Sequence, residues 1–370
     1  MTVQVSAGSK EFTGITVALS AKPEKTMTIK IGMIGAGVIS DAHLLTLETI
    51  TEAEVAVIAD VNEEALNRQA ERYRIPKRTT DYRVILDDNQ IDLVYVCVPH
   101  YLHNPITIAA FEAGKHVVCE KPLAINLAQA DQMIHAAQQA RKRLFVAESH
   151  RFLRVNFKIR ELLNRRIIGR PFLCLATFIG DELERLNDLE NWKGTLDMSG
   201  GGVIIDNGFH MIDALQTFFG EVENVFAAGE RLVTDAENKE EDTALITLRF
   251  KNSVLAELSL TFAARYCGFP SNYQGVGLRF DIFGTEGSLH FTDADDNHLS
   301  LASKTGTKII ALKDGHTQLT GDVTLDMNRH FIDCIRNDSE PSIKPHEARE
   351  VMRTIDACYK SIKTGEKVNL

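Results

Sequence analysis

The chain has 370 residues, 44% of them hydrophobic and 25% charged, with a formal net charge of −10. Single cores stop growing at about 250–300 residues, so two domains are expected, and the composition excludes a disordered or fibrous chain. The negative balance repels phosphate backbones, so nucleic acid is not expected as a partner.

Residues 1–26 are small and polar, with one weak apolar patch from Ile15 to Leu19. They lack a basic segment followed by a solid apolar run, so they are read as a flexible extension rather than a signal peptide. The regular pattern starts at Met27. Thr28 to Ile34 is an apolar strand, and Val38 to Ile50 has helical spacing. Val55 to Asp60 is a second strand and Asn62 to Tyr73 a helix, with Asn62 as its N-cap. Ile91 to Val98 is a continuous β-branched run of the kind buried on both faces in parallel sheets, and Pro99 stops it. Asn104 to Ala113 is a helix, His116 to Glu120 a strand, Asn126 to Ala140 a helix and Leu144 to Ala147 a strand. Repeated strand–helix units give a doubly wound parallel sheet, so residues 27–150 are expected to form a dinucleotide-binding domain of the Rossmann type.

The pattern changes after His150. A helix is expected over Asn156 to Ile167, a strand over Phe172 to Phe178, and an amphipathic helix from Gly200-Gly201-Gly202 to Phe219. Strands follow at Val222 to Glu230, Thr243 to Phe250, Val254 to Thr261, Leu278 to Phe283 and Ser288 to Phe291. The last two are joined by a hairpin at Gly284-Thr285-Glu286-Gly287. Two helices close the chain, Asp326 to Arg336 and Pro345 to Lys363. Residues 151–370 are therefore expected to form an α+β domain on a large, mainly antiparallel open sheet.

The six cysteines, Cys97, Cys119, Cys174, Cys267, Cys334 and Cys358, form no CxxC pair, which argues against a zinc site or a disulfide framework. No metal is expected, and reduced thiols point to the cytoplasm. No apolar run reaches the roughly 18 residues of a membrane span.

Gly35-Ala36-Gly37-Val38-Ile39-Ser40 follows a strand and opens a helix. Gly35 permits the tight turn. Gly37 lets the backbone approach a pyrophosphate, which the free N–H groups of the helix N-terminus attract. Ser40 stands where a third glycine often lies. Asp60, ending the second strand, can accept hydrogen bonds from both ribose hydroxyls and would repel a 2′-phosphate, which selects NAD over NADP.

Two further motifs complete the pattern. Gly114-Lys115-His116-Val117-Val118-Cys119-Glu120-Lys121-Pro122 carries Glu-Lys-Pro, and the helix after the triple glycine carries Asp206 and His210 one turn apart. With the glycine loop, they make Met27 to Leu370 resemble the family of glucose-fructose oxidoreductase, inositol dehydrogenase and rhizopine-catabolism proteins (Gfo/Idh/MocA). The residues themselves point the same way. Lys121 ends a parallel strand, at the edge where open α/β sheets bind ligands, and Pro122 makes a cis peptide possible. Lys121 can hydrogen-bond a reacting oxygen and favour its negative charge. His210 can take a hydroxyl proton as hydride leaves, with Asp206 orienting the imidazole or binding a substrate hydroxyl. By resemblance these three are the catalytic set.

The resemblance also implies that Val98, Pro99 and His103 line the cofactor, with Glu120, Lys121 and Trp192 beside it. The family often has Asn where His100 stands, and Trp192-Lys193 matches a family Trp-Arg/Lys element. Arg151, Asn207 and Tyr266 are expected to face the substrate, Arg151 near the domain junction. The implied activity is oxidation of a ring hydroxyl of a sugar or polyol with NAD, a glucoside at its 3-position first and an inositol next. The alternatives are a glycosidase that oxidises its sugar only transiently, and a non-catalytic sensor on the same fold. A homodimer or homotetramer, associated through the open sheet, is expected from the resemblance.

Overall fold

The computed structural model describes residues 28–183, 192–234, 241–264, 277–293, 298–312 and 321–370. The extension at 1–26, Cys267 and Tyr266 lie outside these residues.

The first sheet holds β1 (Ile29–Ile34), β2 (Ala53–Ala59), β3 (Lys77–Thr79), β4 (Leu93–Val96), β5 (His116–Glu120) and β6 (Leu144–Ala147) in the order β3-β2-β1-β4-β5-β6. All of its pairings are parallel. Helices α1 (Val38–Leu47), α2 (Glu63–Arg72), α3 (Arg83–Asp87), α4 (His103–Glu112) and α5 (Leu127–Ala140) connect the strands. Asn62 caps α2 as expected, its Oδ1 accepting the Ala65 N–H at 3.0 Å, and Asn126 caps α5 in the same way through the Gln129 N–H at 3.0 Å. β4 is shorter than the apolar run around it. Ile91 instead closes a turn, its N–H donating to the Asp88 carbonyl at 3.1 Å.

After α6 (Arg154–Asn164) the chain builds the second sheet from β7 (Pro171–Ile179), β8 (Val222–Glu230), β9 (Thr243–Phe250), β10 (Leu255–Thr261), β11 (Gly277–Gly284), β12 (Gly287–Thr292), β13 (His298–Ser303), β14 (Gly306–Ala311) and β15 (Val368–Asn369). Its order is β14-β13-β12-β11-β7-β10-β9-β8-β15. Only β7 and β10 pair parallel; the rest are antiparallel. The expected hairpin is present, with Gly284 opposite Gly287. Short α7 (Leu196–Ser199) precedes α8 (Val203–Phe219), and α9 (Gly321–Arg336) and α10 (Pro345–Thr364) close the chain.

Sequence reading missed β3, β13, β14 and β15, which lie at or near sheet edges. β14 is almost wholly exposed, so it shows no apolar alternation to read. α9 also begins five residues earlier than its apolar spacing indicates.

The sheets are not independent bodies. α9 follows β14 of the second sheet in sequence but packs on α1 of the first. Its Phe331 ring meets Phe145 of β6 at 5.0 Å. α10 packs on α8 and β8 as well as α5. The two C-terminal helices therefore pack on helices of the parallel sheet, and α10 joins that layer to α8 and β8.

Candidate active site

The functional candidates collect at that carboxyl edge. Gly35 follows β1, Asp60 follows β2, Val98 lies just past β4, Lys121 follows β5 and Glu148 follows β6. Gly35 has φ +104°, and a Cβ there would sit 2.0 Å from the Cys97 carbonyl oxygen, so only glycine fits. Around Gly37 the space is open, since a Cβ would meet nothing within 4 Å. Val38, Ile39 and Val61 stand exposed around this opening, Val38 at 91%. One Asp60 oxygen accepts the Ala36 N–H at 2.6 Å and the other the Asn62 N–H at 2.8 Å. Each carboxylate oxygen keeps a second lone pair for a ribose hydroxyl. An open cradle, free helix N–H groups and a carboxylate fixed beside them fit an NAD adenosine half.

Deeper in the cleft, Lys121 Nζ donates to Asp206 Oδ1 at 2.6 Å and to the Asp206 carbonyl at 3.2 Å. Lys193 pairs with the other Asp206 oxygen. Burial opposes the Asp206 charge, but the two lysines outweigh it and hold the carboxyl well below its usual range. Burial likewise works against the Lys121 cation, and Asp206 overcomes it, so Lys121 titrates above an ordinary lysine. The Lys121–Pro122 peptide is cis.

α8 brings Asp206 and His210 to this point. A Cβ on Gly202 would lie 1.9 Å from the Glu241 carbonyl, which accepts the Val203 N–H at 2.9 Å. The triple glycine thus seats the helix directly on Glu241. Asp206 and His210 share the buried face, yet they are held by different partners. His210 Nδ1 bonds both oxygens of Glu148 at 2.7 Å. Glu148, not Asp206, orients the imidazole, which corrects the orienting role expected for Asp206. Glu148 was missed in the sequence. The available signal was its position, the first residue past a parallel strand, like Lys121.

The remaining candidates divide into contacts and supports. Trp192 is half-buried and packs edge-on against His100 at 4.5 Å, with Lys193 Nζ 5.7 Å from its centroid. His100 in turn bonds the Ser199 carbonyl at 2.8 Å. Val98 and Pro99 are half-buried. Two expected cofactor contacts are instead buried braces. His103 is fully buried, its ring nitrogens on the carbonyls of Pro122 (2.8 Å) and Val98 (2.9 Å), so it ties the two loops together from behind. Glu120 points inward to His43 Nε2 at 2.8 Å and accepts the Lys121 N–H at 3.1 Å. His43 also meets Asn328 of α9 at 3.0 Å. Arg151 needs a correction too. Its guanidinium grips Asp213 through two nitrogens and reaches Glu347 at 3.3 Å, so it ties α8 to α10 rather than facing substrate. Asn207 is half-buried beside Asp206.

Two family descriptions match the chain: an oxidoreductase family with an NAD-binding Rossmann fold over residues 29–148, and the C-terminal alpha/beta domain of the same family over 160–370. The chain belongs to the Gfo/Idh/MocA oxidoreductase family. It is an NAD-dependent oxidoreductase. It is 28% identical to myo-inositol 2-dehydrogenase of Thermotoga maritima, across 92% of this chain and 98% of that protein. It is 32% identical to trans-1,2-dihydrobenzene-1,2-diol dehydrogenase of Danio rerio, across 71% and 74%. A levoglucosan dehydrogenase solved with NADH and levoglucosan shares the fold, with a TM-score of 0.83 at 24% identity, covering 92% of this chain and 99% of that one.

Proposed function

We propose that this member of the family oxidises a secondary ring hydroxyl of a sugar, glycoside or cyclic polyol to a ketone, or runs the reverse. The observation that carries the reading is the meeting of Lys121, Asp206 and His210 at the carboxyl edge of the parallel sheet, beside an open dinucleotide cradle. NAD, when bound, supplies the hydride acceptor. Lys121 Nζ hydrogen-bonds the reacting oxygen. His210, with Nδ1 held by Glu148, offers Nε2 to the hydroxyl proton. Asp206 and Asn207 take neighbouring hydroxyls, which suits a ring bearing several of them. Residues 27–150 hold the cofactor, and residues 151–370 supply substrate contacts and association.

A glucoside oxidised at its 3-position is the first candidate and an inositol the second; the names of the relatives, which act on inositol, apiose and levoglucosan, support the class. Mixing the protein with NAD and a panel of glycosides, inositols and free sugars is expected to raise absorbance in the reduced-nicotinamide band with one class. Sugar release without net NADH would replace this reading with a transiently oxidising glycosidase. Binding with neither product would replace it with a sensor.

The outward face of the second sheet carries Leu175, Phe226, Leu245, Leu255 and Ile309, each at least 36% exposed. Such a face supports association of copies as a homodimer or homotetramer. A monomeric mass by light scattering at micromolar concentration would remove that expectation. The five described cysteines are free and buried, which supports a reducing, cytoplasmic setting. Among the described residues no helix is long and apolar enough to cross a membrane.

A further inference from the structure

We infer that Glu148 is a positioning residue that works with His210 as a carboxylate–imidazole dyad. The inference rests on the dehydrogenase reading above. The geometry is specific. Both Glu148 oxygens lie 2.7 Å from His210 Nδ1, which fixes the imidazole so that Nε2 faces the cleft. Glu148 is itself held by the His150 N–H, which donates to Oε1 at 2.9 Å. The His150 ring stacks on His210 at 3.9 Å between centroids and 10° between planes, blocking rotation of the base. Ligand atoms of Glu148, His150 and His210 fall within 4.8 Å of one another, and Glu148 and His210 are directly hydrogen-bonded.

The charges around His210 show why it needs this partner. Lys121 just past β5 and Lys193 act on it, with Asp206 on its own helix, Glu120 from β5, and Glu148 and His150 from the segment after β6. Asp206 is engaged by the two lysines. Burial holds the His210 imidazole well below its usual range, so in the resting site it is a neutral base. Burial also pushes the Glu148 carboxyl up, and its contact with Nδ1 favours the tautomer that carries its proton there. His150, stacked on His210 and likewise held down by burial, stays neutral. When the substrate C–H bond gives its hydride to NAD, the O–H bond breaks and its proton goes to Nε2. The carbon and oxygen become a ketone. Glu148 then faces an imidazolium, and their attraction offsets the cost of charging a buried ring.

Glu148→Gln is the test. It keeps the shape and removes the charge. We expect kcat to fall by about 10–100-fold, with the NAD dissociation constant within about threefold of the parent. The acid limb of kcat/KM should move to lower pH, since the imidazolium loses its counter-charge. Glu148→Asp should recover part of the rate. Proton NMR of the cofactor-free protein should show a low-field Nδ1–H resonance that moves upfield in Glu148→Gln. A rate within about threefold of the parent would overturn the dyad. So would a fall in rate with an unmoved acid limb, no recovery by Asp and an unchanged resonance. A parent protein that turns over no member of the panel, yet shows the low-field resonance, would remove the dehydrogenase reading and leave the dyad's geometry standing.

Discussion

Lys121→Ala is expected to lower kcat by about 10²–10³-fold and His210→Ala by about 10²–10⁴-fold, the ranges for losing an electrostatic stabiliser and a general base. Neither change should disturb NAD binding by more than a few-fold, because the cradle at Gly35, Gly37 and Asp60 lies elsewhere on the sheet edge. Trp192 is the only tryptophan and sits beside His100 in the cleft, so protein fluorescence reports cofactor binding separately from turnover. The two losses should not multiply. Once the proton has no acceptor, stabilising the developing alkoxide gains little, and residues acting as a unit are strongly non-additive. A double variant at the parent rate would remove both residues from the chemistry. A double variant slowed by the full product would separate them into independent effects.

The fold was largely legible because its signals are local and repeated. A continuous β-branched run marks β4, and a capping asparagine marks α2. Gly35 was readable because its backbone requirement is absolute. Edge strands such as β3 and β14 were not, since exposed strands bury no alternating face. At the site, Lys121, Asp206 and His210 were visible as types at fixed spacing. Their partners were not. Asp206 and His210 sit one turn apart, which invites a direct pairing, but side-chain direction in three dimensions sends one to the lysines and the other to Glu148. The same limit hid the inward turn of Glu120 toward His43, and the engagement of Arg151 by Asp213 and Glu347 from two different helices. A charged side chain reads as free in one dimension until the element that neutralises it is known.

That neutralisation makes Asp206→Asn the more informative substitution. Asp206 is 5% exposed and carries both Lys121 and Lys193. Removing its charge leaves two close, nearly buried cations without their common partner. Breaking a buried pair on one side costs about 3–5 kcal/mol, so denaturant unfolding should show a loss of that order. The sign of the pH effect follows from the shifts. The depressed Asp206 carboxyl contributes stability above the ordinary aspartate range that is lost as pH falls, and the variant should lack this acid-side dependence. For Lys121 the direction is opposite. Asp206 raises it against burial, so without Asp206 burial is opposed only by Glu148 and Glu120, and the alkaline limb of kcat should move to lower pH. Turnover should fall by about 10²–10³-fold, as Lys121 loses both its charge support and its aim. A variant with the parent's alkaline limb would mean that Asp206 does not set the Lys121 charge, and would leave it only its hydroxyl-binding role.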